Sequence, residues 1–308
     1  MSEADQSWKD QTAAEQVWTG ESFAGLLKGK VAVVTGAARG IGRAIAVDMA
    51  RNGAQVVAVD LAAQVSAKTE YPPATPQDLE MTGKLLREIG PKHATMIGDI
   101  RDIQGLRRIA DRVSEEFGGI DIVVANAAIQ TFKPLLEMDD ADWHDTVDNN
   151  LNGTANTVRA FAPHLVKRGG GRLILISSMQ GRYGTKNGAA YSASKWGIIG
   201  LMKSAALELG KHKITVNTIE PGLIDTPLTR NDKRWSMAVG ETTIGPPPEH
   251  PSEEEVVKAR LPKVPLQVPW LQPEQVAPVA VFLASDAAGM VTGACYDVTG
   301  GDSAHVTA

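Results

Sequence analysis

The stretch AAYSASKWG, residues 189–197, sets Tyr191 four positions before Lys195 among alanines, serines and glycine. On a helix, a phenol and an ammonium at that spacing share one face. A free phenol ionises near pH 10, so about one molecule in a thousand is phenolate at pH 7. A neighbouring cation lowers that pKa, each unit being worth about 1.4 kcal/mol. The pair could therefore serve as a general base for a hydroxyl proton, or as an acid in reverse. Small flanking residues allow close approach by a ligand and by a sheet. For an isolated pair of this kind the alternative is an amphipathic core tyrosine beside a snorkelling lysine.

TGAARGIG, residues 35–42, carries a second chemistry. Gly36 permits a tight turn, Gly40 lets a pyrophosphate approach the backbone, and Gly42 allows close helix–strand packing. Free amides at the following helix start favour phosphate. Three residues separate the first two glycines, where the usual dinucleotide fingerprint has one. Asp60, eighteen residues after Gly42, ends an apolar run. Its carboxylate can accept hydrogen bonds from an adenosine ribose and repel a 2′-phosphate. Arg39 points the other way, since a guanidinium in the loop could take that phosphate. A carboxylate left against a phosphate is the worse mismatch, so NAD is expected rather than NADP.

These side chains need a frame, and the apolar pattern supplies one. Residues 30–36, 54–61, 93–100, 120–128, 171–178, 214–222 and 293–301 read as strands. Helix-length segments cover 41–53, 76–90, 103–119, about 139–168 and 187–210. Strands too apolar to alternate, each followed by a helix, predict a parallel sheet covered on both faces. The expected fold is α/β: one doubly wound, Rossmann-type domain over 29–308 with a seven-stranded parallel sheet. Two stretches break the alternation. Residues 62–75 are long and proline-rich for a strand-to-helix turn, and prolines in 226–272 preclude a long helix. Segments of such length inside a domain are usually functional, and 226–272 is expected to be a substrate lid. Glu253, Glu254 and Glu255 read as the solvated first turn of a short helix capped by Ser252. Residues 1–28 carry Trp8, Val17, Trp18 and Phe23, too many large apolar groups for a solvated tail, and read as a docking arm.

The 308 residues, net charge of -5 and hydrophobic fraction of 43% suit one large core and give no reason to expect nucleic acid or an anionic membrane as partner. The amino terminus lacks the pattern of a signal peptide, and no stretch approaches the ~20 apolar residues of a membrane span. The single cysteine, Cys295, excludes an internal disulfide and fits a cytoplasmic location; in its context it reads as a small apolar strand residue. The six histidines show no ligand spacing, so no metal is expected.

TGAARGIG, GDIRD, ANAA, NNLNG, ISS, YSASK and EPGLIDTP occur in the order and approximate spacing of the short-chain dehydrogenase/reductase family, which the chain resembles over about residues 29–301. The resemblance implies a catalytic tetrad of Asn150, Ser178, Tyr191 and Lys195. Tyr191 would exchange the hydroxyl proton while hydride moves between carbon and nicotinamide. Ser178 would hydrogen-bond the substrate oxygen, Lys195 would bind the nicotinamide ribose, and Asn150 would position a proton-relaying water. It further implies that Gly36, Arg39, Gly40, Ile41, Gly42, Asp60 and Leu61 bind the cofactor. Asp99 and Ile100 would face adenine, Asn126 its ribose, and Pro221, Gly222, Ile224 and Thr226 the nicotinamide amide. Asp99 can also be read as a helix N-cap. Ala125 and Ala128 depart from the family's Asn-Asn-Ala-Gly pattern. A homotetramer with helices 139–168 and 187–210 between subunits is also implied.

The insertion after Asp60 and the ending VPWLQPEQVAPVAVFLASDAAGMVTG resemble the carveol dehydrogenase-like, mycofactocin-associated branch, which implies tightly held NAD. Met179, Tyr183, Ile129 and Phe132, with Leu228, Trp235, Met237, Val239 and Ile244 from the lid, would line an apolar pocket. Ser178, Met179, Tyr183, Tyr191 and Trp235 are the expected substrate contacts, and a cyclic or terpenoid secondary alcohol, or its ketone, the expected substrate. Arg182 and Arg230 would admit a carboxylate unless they are merely solvated. Two other readings share the frame: an NAD(H)-binding redox sensor without turnover, and an epimerase or dehydratase with bound NAD.

Overall fold

A computed structural model describes residues 25–240, 246 and 248–304. Most of the expected arm, with Trp8, Val17, Trp18 and Phe23, lies outside the described residues, as does Ile244. The arm's last residues join the domain: Leu27 is fully buried, and its amide donates to the Asn52 carbonyl at 2.9 Å.

Strand β1 (Val31–Thr35) is buried along its whole length and runs through the glycine loop into α1 (Gly40–Arg51). The alternation continues with β2 (Gln55–Asp60), α2 (Pro76–Ile89), β3 (His93–Ile97), α3 (Ile103–Phe117) and β4 (Ile122–Ala125). After α4 (Asp140–Val147) and α5 (Gly153–Arg168) come β5 (Gly171–Ile176), α6 (Ala189–Leu209) and β6 (Ile214–Pro221). The described strands, closed by β7 (Cys295–Val298), form one parallel sheet in the order β3-β2-β1-β4-β5-β6-β7. This is the doubly wound, seven-stranded sheet that the sequence predicts. Order reverses between β1 and β4, which opens a crevice at the carboxyl ends of the strands.

Each face of the sheet has its own core. Ile45, Met49, Leu86, Val276 and Val281 fill one side; Leu106, Val113, Phe161, Leu165 and Met202 fill the other. Such two-sided burial is why the strands show apolar runs without alternation.

Local differences from the sequence pattern cluster at the crevice. The strands expected over 93–100 and 120–128 end at Ile97 and Ala125. Gly98–Ile100 and Asn126–Ala128 leave the sheet and line the cleft instead. The single helix expected over 139–168 is α4 and α5 joined by a π turn, Asp148–Asn152. The widened turn directs Asn150 inward, where its carboxamide bonds the 129 peptide. The N-cap of α3 is Asp102, not Asp99.

The described residues of 226–272 form two short α-helices, α7 (Asp232–Gly240) and α8 (Glu253–Arg260), the latter started by the expected Ser252 cap in a capping box with Glu255. A parallel bridge between Ile224 and Leu271 brings the ends of the segment together. Leu223, Ala238, Val239, Val256, Val257 and Trp270 form a separate small core there. The last helix, α9 (Ala277–Ala284), returns to pack on α1 and β5. No described helix is long and apolar enough to cross a membrane.

Candidate active site

One cleft of about 1330 Å³, its open mouth included, runs along the crevice. At one end, Gly36 has φ +66° and Gly40 φ +56°, the left-handed region that favours glycine. A Cβ on Gly36 would stand 2.7 Å from the Ala127 Cα, so no other residue fits that turn. The helix that follows has neither a side-chain cap at Arg39 nor an acidic residue in its first turn, which leaves its amides suited to an anion. Gly42 is not part of the cleft wall. Its Cβ position lies 2.1 Å from the Gly36 carbonyl oxygen, so it packs α1 closely on the loop, the role its place in the motif predicts.

Asp60 ends β2 with both carboxylate oxygens on backbone amides, Oδ2 from Ala38 at 2.9 Å and Oδ1 from Ala62 at 2.8 Å. The carboxylate is thereby fixed at the cleft wall beside Leu61, each oxygen keeping a further lone pair. Arg39, which sequence reading left open as a phosphate receptor, donates to the carbonyls of Pro72 and Pro73. It ties the 62–75 insertion to the glycine loop. That insertion lines the cleft with Ala63, Val65, Thr69, Tyr71, Pro73 and Ala74, of which sequence reading had named none. Further ties fix it: Ser66 with Asp145, Lys68 with Asp139, and Glu70 with Lys233 of α7.

Asp99 and Ile100 line the cleft as expected, with Asp99 held by Arg101 at 2.6 Å, an ion pair that keeps its carboxyl below the usual range against the opposing effect of burial. Asn126 donates from Nδ2 to the carbonyls of Thr35 and Gly36, fastening the end of β4 to the glycine loop. Pro221, Gly222, Ile224 and Thr226 close the far wall. The residues thus fit a dinucleotide: an anion-ready glycine turn and a fixed carboxylate one strand away open on the same cleft.

Ser178, Tyr191 and Lys195 meet at the other end of the cleft. The Ser177 hydroxyl donates to the Lys195 carbonyl at 2.9 Å, docking α6 on the end of β5. Ser178 hydrogen-bonds Tyr191. The Lys195 ammonium lies 5.6 Å from the Tyr191 ring centre and donates to the Ile176 carbonyl at 2.9 Å. Burial dominates the electrostatics. It pushes the Tyr191 phenol up to about 12, against the opposing pull of Ser178 and Arg234, and pushes Lys195 down to about 7. Both shifts favour the neutral forms of the two groups in the protein alone.

Asn150 is fully buried and stands outside the cleft wall. Oδ1 accepts from Ile129 at 2.8 Å and from Asn149 at 3.1 Å; Nδ2 donates to the Ile129 carbonyl at 2.9 Å and to Ser194 at 3.2 Å. Its side-chain donors and acceptors are thus all engaged, gripping Ile129 by both amide and carbonyl, so a relay water would have to be held by its main chain.

The expected substrate contacts divide. Ser178, Tyr191, Ile129 and Leu228 line the cleft, and Phe132 stands 6.5 Å from the Tyr191 ring. Met179, Tyr183 and Trp235 do not line it: Met179 is buried in the turn after Ser178, and Trp235 packs on Trp270 at 6.0 Å. Neither arginine is simply solvated or offered to substrate. Arg182 pairs with buried Glu220 and with Asp297, while Arg230 pairs with Asp225 and Glu253 and lies 3.9 Å from the Trp270 ring. Sequence reading missed Arg234 of α7, a buried guanidinium 5.3 Å from the Phe132 ring.

Comparison with known proteins agrees with this geometry. The family model described as short chain dehydrogenase matches residues 30–237. An oxidoreductase of Mycobacterium tuberculosis described as NAD-dependent is 39% identical over 87% of this chain and 94% of its own. (-)-trans-Carveol dehydrogenase of Rhodococcus erythropolis is 35% identical over 89% of this chain and 98% of its own. The crystal structure of carveol dehydrogenase from Mycobacterium avium in complex with NAD superposes with a TM-score of 0.84 at 35% identity, covering 91% of this chain and 99% of that one. The chain belongs to the short chain dehydrogenase family.

Proposed function

We propose that this protein is an NAD-dependent dehydrogenase of a cyclic secondary alcohol, or in reverse a reductase of the ketone, with Tyr191 as general base or acid. The observation that carries this reading is the convergence of Ser178, Tyr191 and Lys195 on the same cleft as the glycine turn and Asp60. The NAD-dependent and carveol dehydrogenase relatives support the cofactor and the cyclic alcohol. Bound NAD would supply the hydride acceptor for the carbinol carbon. Asp60 accepts from the adenosine ribose, and its charge excludes a 2′-phosphate. Tyr191 takes the hydroxyl proton, while Ser178 holds the substrate oxygen within reach of the phenol. Lys195 spends one N–H on Ile176, leaving others for a ribose hydroxyl, and that acceptor would help keep the amine charged. Ile129 and Leu228 offer the ring an apolar wall, with Phe132 beside Tyr191.

The test is a panel of cyclic secondary alcohols and their ketones with NAD, with NADP and with an artificial electron acceptor, after extraction of any nucleotide carried by the purified protein. Turnover of cyclic alcohols with NAD or the artificial acceptor is expected. Absence of turnover throughout the panel, or a preference for NADP, would overturn the reading.

The insertion favours a second, narrower reading, slow release of the nucleotide, because its ties to Arg39, Asp139, Asp145 and Lys233 must loosen to open the adenosine end. Purified protein is then expected to retain nucleotide through gel filtration. Exposed Trp143, Val166, Trp196 and Leu207 lie on α4, α5 and α6, within the two segments that would join subunits, which supports a homotetramer measurable by sedimentation.

A further inference from the structure

Ionising Tyr191 requires positive charge near its oxygen, and the groups that face it come from several elements. Ser178, after β5, gives a hydrogen bond. Tyr71, from the insertion, is a second phenol in the same cleft; its hydroxyl accepts from the Gln130 amide at 3.1 Å, and the Tyr191 phenol opposes its ionisation. Lys195, on the same helix, directs its ammonium at Ile176. Arg39 acts on Tyr71 and is occupied by the Pro72 and Pro73 carbonyls.

Arg234 differs from all of these. It enters from α7, its amide donating to the Asn231 carboxamide at 3.0 Å. Its guanidinium is buried, 5.3 Å from the centre of the Phe132 ring, and that ring stands 6.5 Å from the ring of Tyr191. A guanidinium keeps its proton beyond about pH 12, so its charge persists wherever a phenol titrates. A buried ammonium does not share that property.

We propose that Arg234 is a positioning residue of the reaction: from outside the strand-end motifs it holds a permanent positive charge against Phe132, the ring that neighbours Tyr191, and so helps set the pH at which the Tyr191 hydroxyl acts as base. The proposal rests on Tyr191 being the general base.

The first test does not use turnover. A fluorinated tyrosine, whose phenol is more acidic, replaces the four tyrosines, and the Tyr191 signal is assigned by its loss in Tyr191→Phe. Fluorine NMR then follows its titration with NAD present in the parent, in Arg234→Met and in Arg234→Lys. The midpoint is expected to rise by about half to one pH unit in Arg234→Met and to stay near the parent value in Arg234→Lys. If Arg234→Met does not fold, as judged by its melting curve, Arg234→Gln takes its place. An unmoved midpoint, or equal movement in the methionine and lysine variants, would overturn the proposal.

The second test is the pH profile of kcat/KM for alcohol oxidation. The rise is expected to move upward by the same interval with its alkaline plateau kept, giving roughly a three- to tenfold loss below the midpoint. A uniform drop without a shift would mean a structural role only. An NMR shift in a protein that oxidises no alcohol would instead sink the reaction assigned above while leaving the electrostatic role of Arg234 in place.

Discussion

Asn150 grips both polar atoms of a single residue, Ile129: its Oδ1 accepts from the amide at 2.8 Å and its Nδ2 donates to the carbonyl at 2.9 Å. The next amide, Gln130, is held from the opposite side by the Tyr71 hydroxyl. One short segment beside Tyr191 is thus fixed by the π turn on one flank and the insertion on the other. Asn150→Ala would leave these buried groups without partners, at about 2–4 kcal/mol. Urea denaturation is expected to show that loss, with kcat falling alongside it.

Tyr191→Phe removes the proton carrier while keeping the ring packed near Phe132. Turnover is expected to drop by roughly 10²–10⁴-fold, with nucleotide binding little changed. Steady-state rates and calorimetric titration with NAD would check this. Turnover near the parental rate would rule out Tyr191 as base.

Asp60→Ser withdraws the charge that excludes a 2′-phosphate. Preference is expected to move toward NADP by about ten- to a hundredfold, because a like-charge contact costs several kcal/mol. Fluorescence titration with NADH and NADPH gives the ratio. Some loss of stability should accompany it, since Asp60 also anchors the Ala38 and Ala62 amides.

Asp48, on α1, is buried with its Oδ2 lacking a hydrogen-bond partner among the described residues, and burial raises its pKa to about 6 despite Arg51. Between its unfolded value near 4 and 6, the native state binds more protons than the unfolded chain. The stabilising contribution is therefore complete below about pH 4 and is lost as pH rises through 6. Asp48→Asn is expected to stabilise the protein at pH 7.5 by on the order of 1–3 kcal/mol, with a much smaller gain at pH 4.5. Denaturant midpoints at the two pH values provide the comparison.

Arg260 of α8 and Asp302 pair at 2.6 Å with both side chains 7% exposed, joining the 226–272 segment to the end of the domain. Removing either charge alone leaves the other buried, so Arg260→Met and Asp302→Asn are each expected to cost about 3–5 kcal/mol. The double variant should lose much less than the sum, and a double-mutant cycle in urea measures the difference.

The sheet, the glycine turn, Asp60 and the Ser178–Tyr191–Lys195 set were legible because each is a local property. Apolar runs give strands, a glycine at φ +66° gives a turn, and a four-residue spacing gives one helix face. Residues that leave strand ends for the cleft, such as Asp99 and Asn126, were legible as motifs although the strand boundaries were not.

What tertiary structure alone decided is who stands next to whom. A spacing rule cannot tell that the Asn150 side chain would be consumed largely by Ile129, or that Trp235 would turn to Trp270. It cannot tell that Arg182 and Arg230 would find carboxylates while Arg234 came to lie beside Phe132. Nor does it give the balance at Tyr191, where burial outweighs the pull of Ser178 and Arg234. Side-chain partners and desolvation depend on residues brought together from distant parts of the chain, whereas periodicity and spacing record only near neighbours.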